Sequence, residues 1–363
     1  MTPELDTTAT GSPATEGAPV SPTTPGWLAE IPARRFVEAG LEARFALRPG
    51  DRPLIADGAQ VTTGEALLER LRDRRVAEVV IPAAARDGVT AGARWAPAAP
   101  AGRRRPERDV DGELLAPVPG SKDKWRLVTG EHRDISPAPL SGTVAGIQPG
   151  AELRVRAAGL ALLGAFAAGS AAHGRLELAT DPFGELRAGG IDVGRAGSIL
   201  VVGARIDAEA LTRARAMGVR GIVVASLPGK ELRDFQASER RQRAALHAPS
   251  PFGVLVLQGA ARRRIPTPIA ALFERLAGRE VALLVDPPAL VFEAEADELP
   301  PVAPDWVHVR SGPNTGAEGR VLGVVGLRRF AANVWLEAAR VALDGEAPVD
   351  LPIGDLERFV RGV

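Results

Sequence analysis

Glycine-marked turns punctuate the first half of this chain in two widely separated places, and that punctuation limits what it can fold into. Gly58-Ala-Gln-Val-Thr-Thr-Gly64, followed by Leu67, lies about 80 residues before Pro137-Ala-Pro-Leu-Ser-Gly-Thr-Val144, which runs on to Pro149-Gly150-Ala-Glu-Leu153. Leu54, Ile55 and Val61 flank the turn at Asp57-Gly58, and Gly142 is expected to supply the positive φ of a tight turn. Glu152 to Arg156 alternates apolar and charged residues, as a half-buried strand does. Gly159, Gly164, Gly169 and Gly174 then recur every five residues, a spacing that suits short strands joined by turns.

These two segments resemble the halves of a biotinyl/lipoyl-type barrel, the barrel-sandwich hybrid. The glycine series resembles the barrel with which one component of the Rnf electron-transport complex begins. In carrier domains of that kind a lysine at the hairpin between the halves bears the prosthetic group. No lysine lies between Gly58 and Ser121 here, so the resemblance implies the fold without the carrier chemistry and without a cofactor. Residues 65–74 fit a helix or a strand, while Val79, Val80 and Ile81 read as a strand. Where the hairpin belongs, an insertion rich in Ala, Pro and Arg spans about 84–130 and includes Arg103-Arg104-Arg105. It reads as too poor in large apolar residues for a core of its own. Lys122 and Lys124 lie at its far end and read as a polar turn before a strand at Trp125–Val128.

Residues 191–286 alternate differently. Ser198–Gly203, Gly221–Ser226 and Phe252–Leu257 are apolar runs of the kind that form buried parallel strands, and Val281–Val285 closes the series. Between them lie helical stretches at Ala208–Met217, capped by Asp207 and stopped by Gly218, at Glu231 to about Leu246, and at Pro268–Leu276. The pattern predicts a three-layer α/β domain with a mostly parallel sheet. Ligands of such sheets bind beyond the strands' carboxyl ends, which makes Arg205, Ser226, Gly229, Lys230 and Arg262 the candidate anion-binding residues. Neither a dinucleotide fingerprint nor a Walker-type loop accompanies them.

The acidic, proline-rich residues 287–304 read as a linker. After it, Val309-Arg310, Gly312-Pro313, Gly316, Gly319 and Val321 resemble the KOW motif of small SH3-like barrels, with later strands at Ala338–Leu343 and Val349–Ile353. The resemblance implies RNA or protein binding, with Arg310, Gly312, Gly316 and Arg320 as candidate partner contacts. Seven Arg against eight Asp plus Glu from Asp305 onward do not favour RNA. Leu327–Trp335 reads as an extended loop whose Phe330 and Trp335 belong to the core.

The fold expected is therefore α/β plus all-β modules: a disordered tail at 1–26, the barrel-sandwich hybrid at 27–180, the α/β domain at 191–286 and the SH3-like barrel at 305–363. Absence of cysteine removes disulfides and thiol chemistry, and 45 basic against 45 acidic residues argue against a globally cationic nucleic-acid binder. Ala157–Ala172 is too short and glycine-rich for a membrane span and reads as buried. His132, His173, His247 and His308 lack metal-ligand spacing, and no catalytic motif stands out. The function expected is a cytoplasmic, non-catalytic scaffold or adaptor that docks onto a protein partner. An RNA- or transcription-associated factor and an enzyme subunit holding a phosphorylated or carboxylate ligand are the rival classes.

Overall fold

The structure, a computed structural model, describes residues 26–86, 88–95, 112–245 and 251–362. The expected tail (all but Gly26), Arg103–Arg105 and His247 lie outside the described residues. In chain order the first strands are β1 (Ala33–Ala39), β2 (Glu42–Ala46), β3 (Arg52–Pro53), β4 (Gln60–Val61), β5 (Ala66–Val80), β6 (Arg94–Trp95), β7 (Gly112–Pro117) and β8 (Lys124–Pro137). There follow β9 (Gly142–Gln148), β10 (Glu152–Ala157), β11 (Leu160–Leu163), β12 (Phe166–Gly169), β13 (Ala172–Leu178), β14 (Glu185–Leu186), β15 (Ser198–Val202) and β16 (Arg205–Ile206). Helix α1 (Ala208–Ala216), β17 (Gly221–Ser226), α2 (Gly229–Ala245), β18 (Gly253–Gly259), α3 (Thr267–Leu276), β19 (Glu280–Leu284) and β20 (Ala289–Phe292) come next. The chain closes with β21 (Trp306–Val309), β22 (Glu318–Arg329), β23 (Trp335–Leu343), β24 (Val349–Pro352) and β25 (Leu356–Gly362).

This arrangement corrects the expected fold class. The molecule is mostly β, and fourteen strands form one mixed sheet in the order β12-β18-β17-β15-β13-β19-β20-β11-β1-β25-β21-β22-β23-β24. A three-layer α/β domain with a mostly parallel sheet is not what forms. Parallel pairing joins β13, β15, β17 and β18, but β12 and β19 flank that set antiparallel. The physical reason is connection length. Parallel neighbours need a long crossover, which α1 and α2 supply for β15, β17 and β18. The turn from Leu284 to Ala289 permits only the antiparallel pairing of β19 with β20.

The two turn-marked segments pair in a four-stranded sheet, β2-β10-β9-β4, whose Leu153 and Val155 share a core with Leu67 of β5, with Leu140, and with Ala282, Leu284 and Val291 of the large sheet. The C-terminal strands continue that sheet, because β25 pairs in parallel with β1, whose other edge pairs with β11. Phe36 of β1 stacks on Phe359 of β25 at 5.3 Å between ring centroids, and Trp306 meets the same Phe359 ring at 5.0 Å. The expected linker holds β20, all four of whose residues are buried. An apolar strand embedded in acidic and proline-rich flanks was hidden by the composition around it.

Helix α3 shows how sequence period sets packing. Ile269, Leu272, Phe273 and Leu276 recur at helical spacing and are buried against Val223, Leu255 and Leu283 on one sheet face. Ala210, Leu211 and Ala214 of α1, with Phe235 of α2, cover Leu200, Val224 and Val254 on the other. Asp207 caps α1 by accepting from the Ala210 N–H, and Gly218 leaves the helix at φ 83°. Gly142 is needed for a reason other than the expected one. Its φ is not positive, but an added Cβ would lie 2.1 Å from the Arg156 carbonyl oxygen across the β9–β10 pair.

Two ribbons project from these cores. β5 and β8 pair along most of their length, a reach of roughly 45 Å at ordinary strand rise. The ambiguous residues 66–74 are thus strand. The insertion forms a small cluster after all, with Ile81, Leu114 and Leu127 fully buried beside Val79, Trp95 and Trp125. The second ribbon is the outer part of β22–β23, where the expected core residue Trp335 is 60% exposed. Its turn places Ala332 at φ 56° and Asn333 at φ 62°, a left-handed pair that matches ribbon twist. Ala332 has a Cβ in that region at a cost of about 1 kcal/mol. Ala332→Gly is therefore expected to stabilise the protein by up to about 1 kcal/mol in urea melts. A loss of stability would show that the turn has some other conformation.

Candidate functional site

The strand ends were the sequence's candidate anion site, and the structure places each residue there differently. The Ser226 hydroxyl is buried and donates to the Ala204 carbonyl at 2.6 Å, tying the end of β17 to that of β15. Arg205 lies 3.6 Å from Glu231, whose carboxylate also accepts from the Ala208 N–H at 2.9 Å. Arg262 pairs with Glu185 at 3.1 Å. Gly229 and Lys230 open α2 and are exposed. An open depression of about 510 Å³ adjoins β14 and β16, lined by Glu185, Asp207 and Glu209 as well as Arg187 and Arg205. Its carboxylates outnumber its guanidinium groups, so the two arginines among the candidates already face acids.

The partner-contact candidates gather around one turn. Gly312 (φ 83°) and Gly316 (φ 88°) shape the β21–β22 connection, and Ser311 donates to the Asp355 carboxylate. The Arg310 N–H donates to the Asp355 carbonyl at 2.8 Å, and the side chains of Arg310 and Arg320 are exposed. Lys122 and Lys124 are exposed at the far end of the β5–β8 ribbon. His132 on that ribbon approaches Asp134 at 3.2 Å, and His173 lines a separate depression with Arg279.

A buried polar cluster escaped the sequence reading. Glu318, 2% exposed, opens β22 and reaches across to the end of β18 and the start of α3. One carboxylate oxygen accepts from the Thr267 N–H at 3.0 Å, and the other pairs with Arg264 at 2.9 Å. The helix has Pro266 at its N-cap, which offers no side-chain acceptor, so Glu318 takes the place of the missing cap. Gln258 donates to the Arg264 carbonyl at 2.8 Å, and Arg264 lies over the Phe183 ring at 5.0 Å. Arg34 of β1 donates to the carbonyls of Leu163 and Leu257 and lies 3.8 Å from Glu357. His308, 1% exposed on β21, has no hydrogen-bond partner at either ring nitrogen among the described residues. Burial, then the nearby guanidinium groups of Arg263, Arg264 and Arg34, push its pKa down to about 4. The sequence held one signal: Val-His-Val and Ala-Glu-Gly each put a titratable residue in an otherwise apolar strand start.

Comparison with protein-family models and with curated proteins finds no match for the chain.

Two outcomes are expected of this cluster. Glu318→Ala leaves Arg264 unpaired and α3 uncapped, and should cost about 3–5 kcal/mol in urea unfolding. The double variant Glu318→Leu/Arg264→Met should lose less than that single change. For His308, the folded pKa lies below the unfolded value near 6.5, so between those values the unfolded chain binds more protons. The neutral imidazole's full stability is present above about pH 6.5 and is lost progressively down to about pH 4, by about 3 kcal/mol in all. His308→Leu should flatten that part of the stability-against-pH curve, and an unchanged acid limb would refute the assignment.

Proposed function

We propose that this chain is a non-catalytic scaffold or adaptor that docks onto a protein partner, with the β5–β8 ribbon as its docking element. The observation that carries the reading is the amphipathic build of the ribbon. Ala77, Val79, Trp125 and Leu127 turn toward the small cluster at its far end, whereas Val76 (47% exposed) and Val80 (58% exposed) lie on the opposite face beside Arg126 and Lys124. A ribbon that packs one face for rigidity and leaves valines uncovered on the other suits recognition of a partner surface rather than enclosure of a substrate. No α-helix among the described residues is long and apolar enough to cross a membrane.

A second reading rests on Arg310 and Arg320, which are exposed and form no ion pair among the described residues. Those two cations beside the Gly312–Gly316 turn support the RNA-associated alternative. A salt-sensitive gel shift with single-stranded RNA, weakened by Arg310→Glu, is its signature.

The chain offers a convenient test, because its three lysines are Lys122, Lys124 and Lys230. An amine-reactive cross-linker applied in native extract should join one discrete partner protein to Lys122 or Lys124. Deleting residues 74–131 and closing the ribbon with Asn-Gly should abolish that product while the remaining fold melts cooperatively. Substrate turnover by the purified chain, lost on Lys230→Ala or Arg262→Ala, would replace the scaffold reading with the enzyme class.

A further inference from the structure

We infer that the outer part of the β22–β23 ribbon is a self-association surface, through which two copies of this chain pair about a twofold axis. Nearer its root, β23 turns Ala339, Val341 and Leu343 inward onto the C-terminal core. Strand alternation carries the same face outward to Glu337 and Trp335, with Leu327 and Arg329 opposite them on β22. The core ends but the apolar character of its face does not. Leu327 is 56% exposed and Trp335 is 60% exposed. Beyond Ala338 the ribbon has only its two strands, since β24 pairs no further out than that residue. A two-stranded ribbon is marginal by itself in water, and its apolar face calls for a cover.

The charges on that face identify the cover. Arg329 sits opposite Trp335, and Glu337 sits opposite Leu327, so the two ionised groups occupy diagonal corners around the apolar pair. Neither forms an ion pair among the described residues, whereas Arg328 and Arg340 on the reverse face both bind Asp350. One unpaired cation and one unpaired anion make the face complementary to itself. A twofold axis between two such faces, along the Leu327–Trp335 diagonal, sets Arg329 of each copy over Glu337 of the other. The same operation stacks Trp335 on Trp335 and Leu327 on Leu327, as an isologous interface requires. An anionic surface such as nucleic acid or an acidic membrane would instead gain nothing from Glu337 in that position.

The patch is small, so the association is expected in roughly the micromolar range and to weaken with salt. Sedimentation velocity of the full chain over a concentration series, at low and moderate salt, tests it. The wild-type chain should run from monomer to dimer. Arg329→Glu and Glu337→Arg should each weaken dimerisation at least about tenfold, because each sets like charges together twice. The double variant Arg329→Glu/Glu337→Arg should recover most of the lost affinity, which a merely structural role of either residue would not produce. All these positions are exposed, and unchanged melting temperatures would show that the fold is intact. A chain that stays monomeric at tens of micromolar, single reversals without effect, or a double variant no better than the singles would overturn the inference. So would assemblies beyond a dimer, or a monomer that binds phosphatidylserine vesicles or a different protein through Trp335.

Discussion

The buried carboxylate of Glu318 is the contact on which the arrangement of the rest depends. Taking an ionised group out of water costs several kcal/mol, and the cost is met only where every acceptor site finds a donor. Glu318 finds the Arg264 guanidinium, from the segment between β18 and α3, and the N–H of Thr267, the first residue of α3. Those donors are themselves in need. An N-terminal amide of α3 lacks a side-chain cap, and Arg264 sits beside an imidazole that burial keeps neutral. One side chain from the C-terminal strands thus satisfies two groups of the helix-bearing part. Any sliding of one part over the other would leave an uncompensated charge, so the contact fixes register as well as adhesion.

Strand β1 makes the second tie, and it does so by topology. It enters near the start of the described chain yet lies between β11 and β25, with the parallel β25 contact closing a span of more than 300 residues. Arg34 on this strand reaches the carbonyls of Leu163 in the neighbouring β11 and of Leu257, adding a side-chain tie to one further strand, β18. Such a sheet cannot be completed until the last strand exists. Its long-range pairings place it among slow-folding topologies, where loop closure must precede the reward. The stacked rings of Phe36 and Phe359 and the tilted Trp306 supply apolar burial at the place where β1 and β25, the first and last described strands, meet.

What could be read from the sequence was what short segments dictate by themselves. Ser198–Val202 and Gly221–Ser226 announced themselves by uninterrupted apolar runs, and Asp207 and Gly218 marked both ends of α1. Pairing partners were not legible, because a strand's neighbours are chosen by connection length and by surfaces elsewhere in the chain. That is why the apolar runs of β15, β17, β18 and β19 suggest an α/β domain with a mostly parallel sheet, although β19 pairs antiparallel with β13 and β12 pairs antiparallel with β18. Val-His-Val reads as ordinary strand alternation until β25 and β22 bracket it and bury the imidazole. Trp335 misled in the opposite direction. A tryptophan's size argues for the interior, but nothing local to residue 335 reports that the core stops at Ala339.

The two ribbons differ in one respect that bears on what each can do. The β5–β8 ribbon carries its own stabilisation at the far end, where three fully buried side chains and two tryptophans pack on one face. It can therefore stand away from the body without a partner and present Val76 and Val80 at a fixed distance. The β22–β23 ribbon has no such cluster beyond Ala338, and its turn holds an alanine in a conformation that favours glycine. Its order in isolation rests on backbone pairing and on Asp350, which anchors Arg328 and Arg340 from the reverse side. An element built in that way gains more from being covered than one that is already packed. The face left for covering is the one on which Arg329 and Glu337 form no ion pair among the described residues.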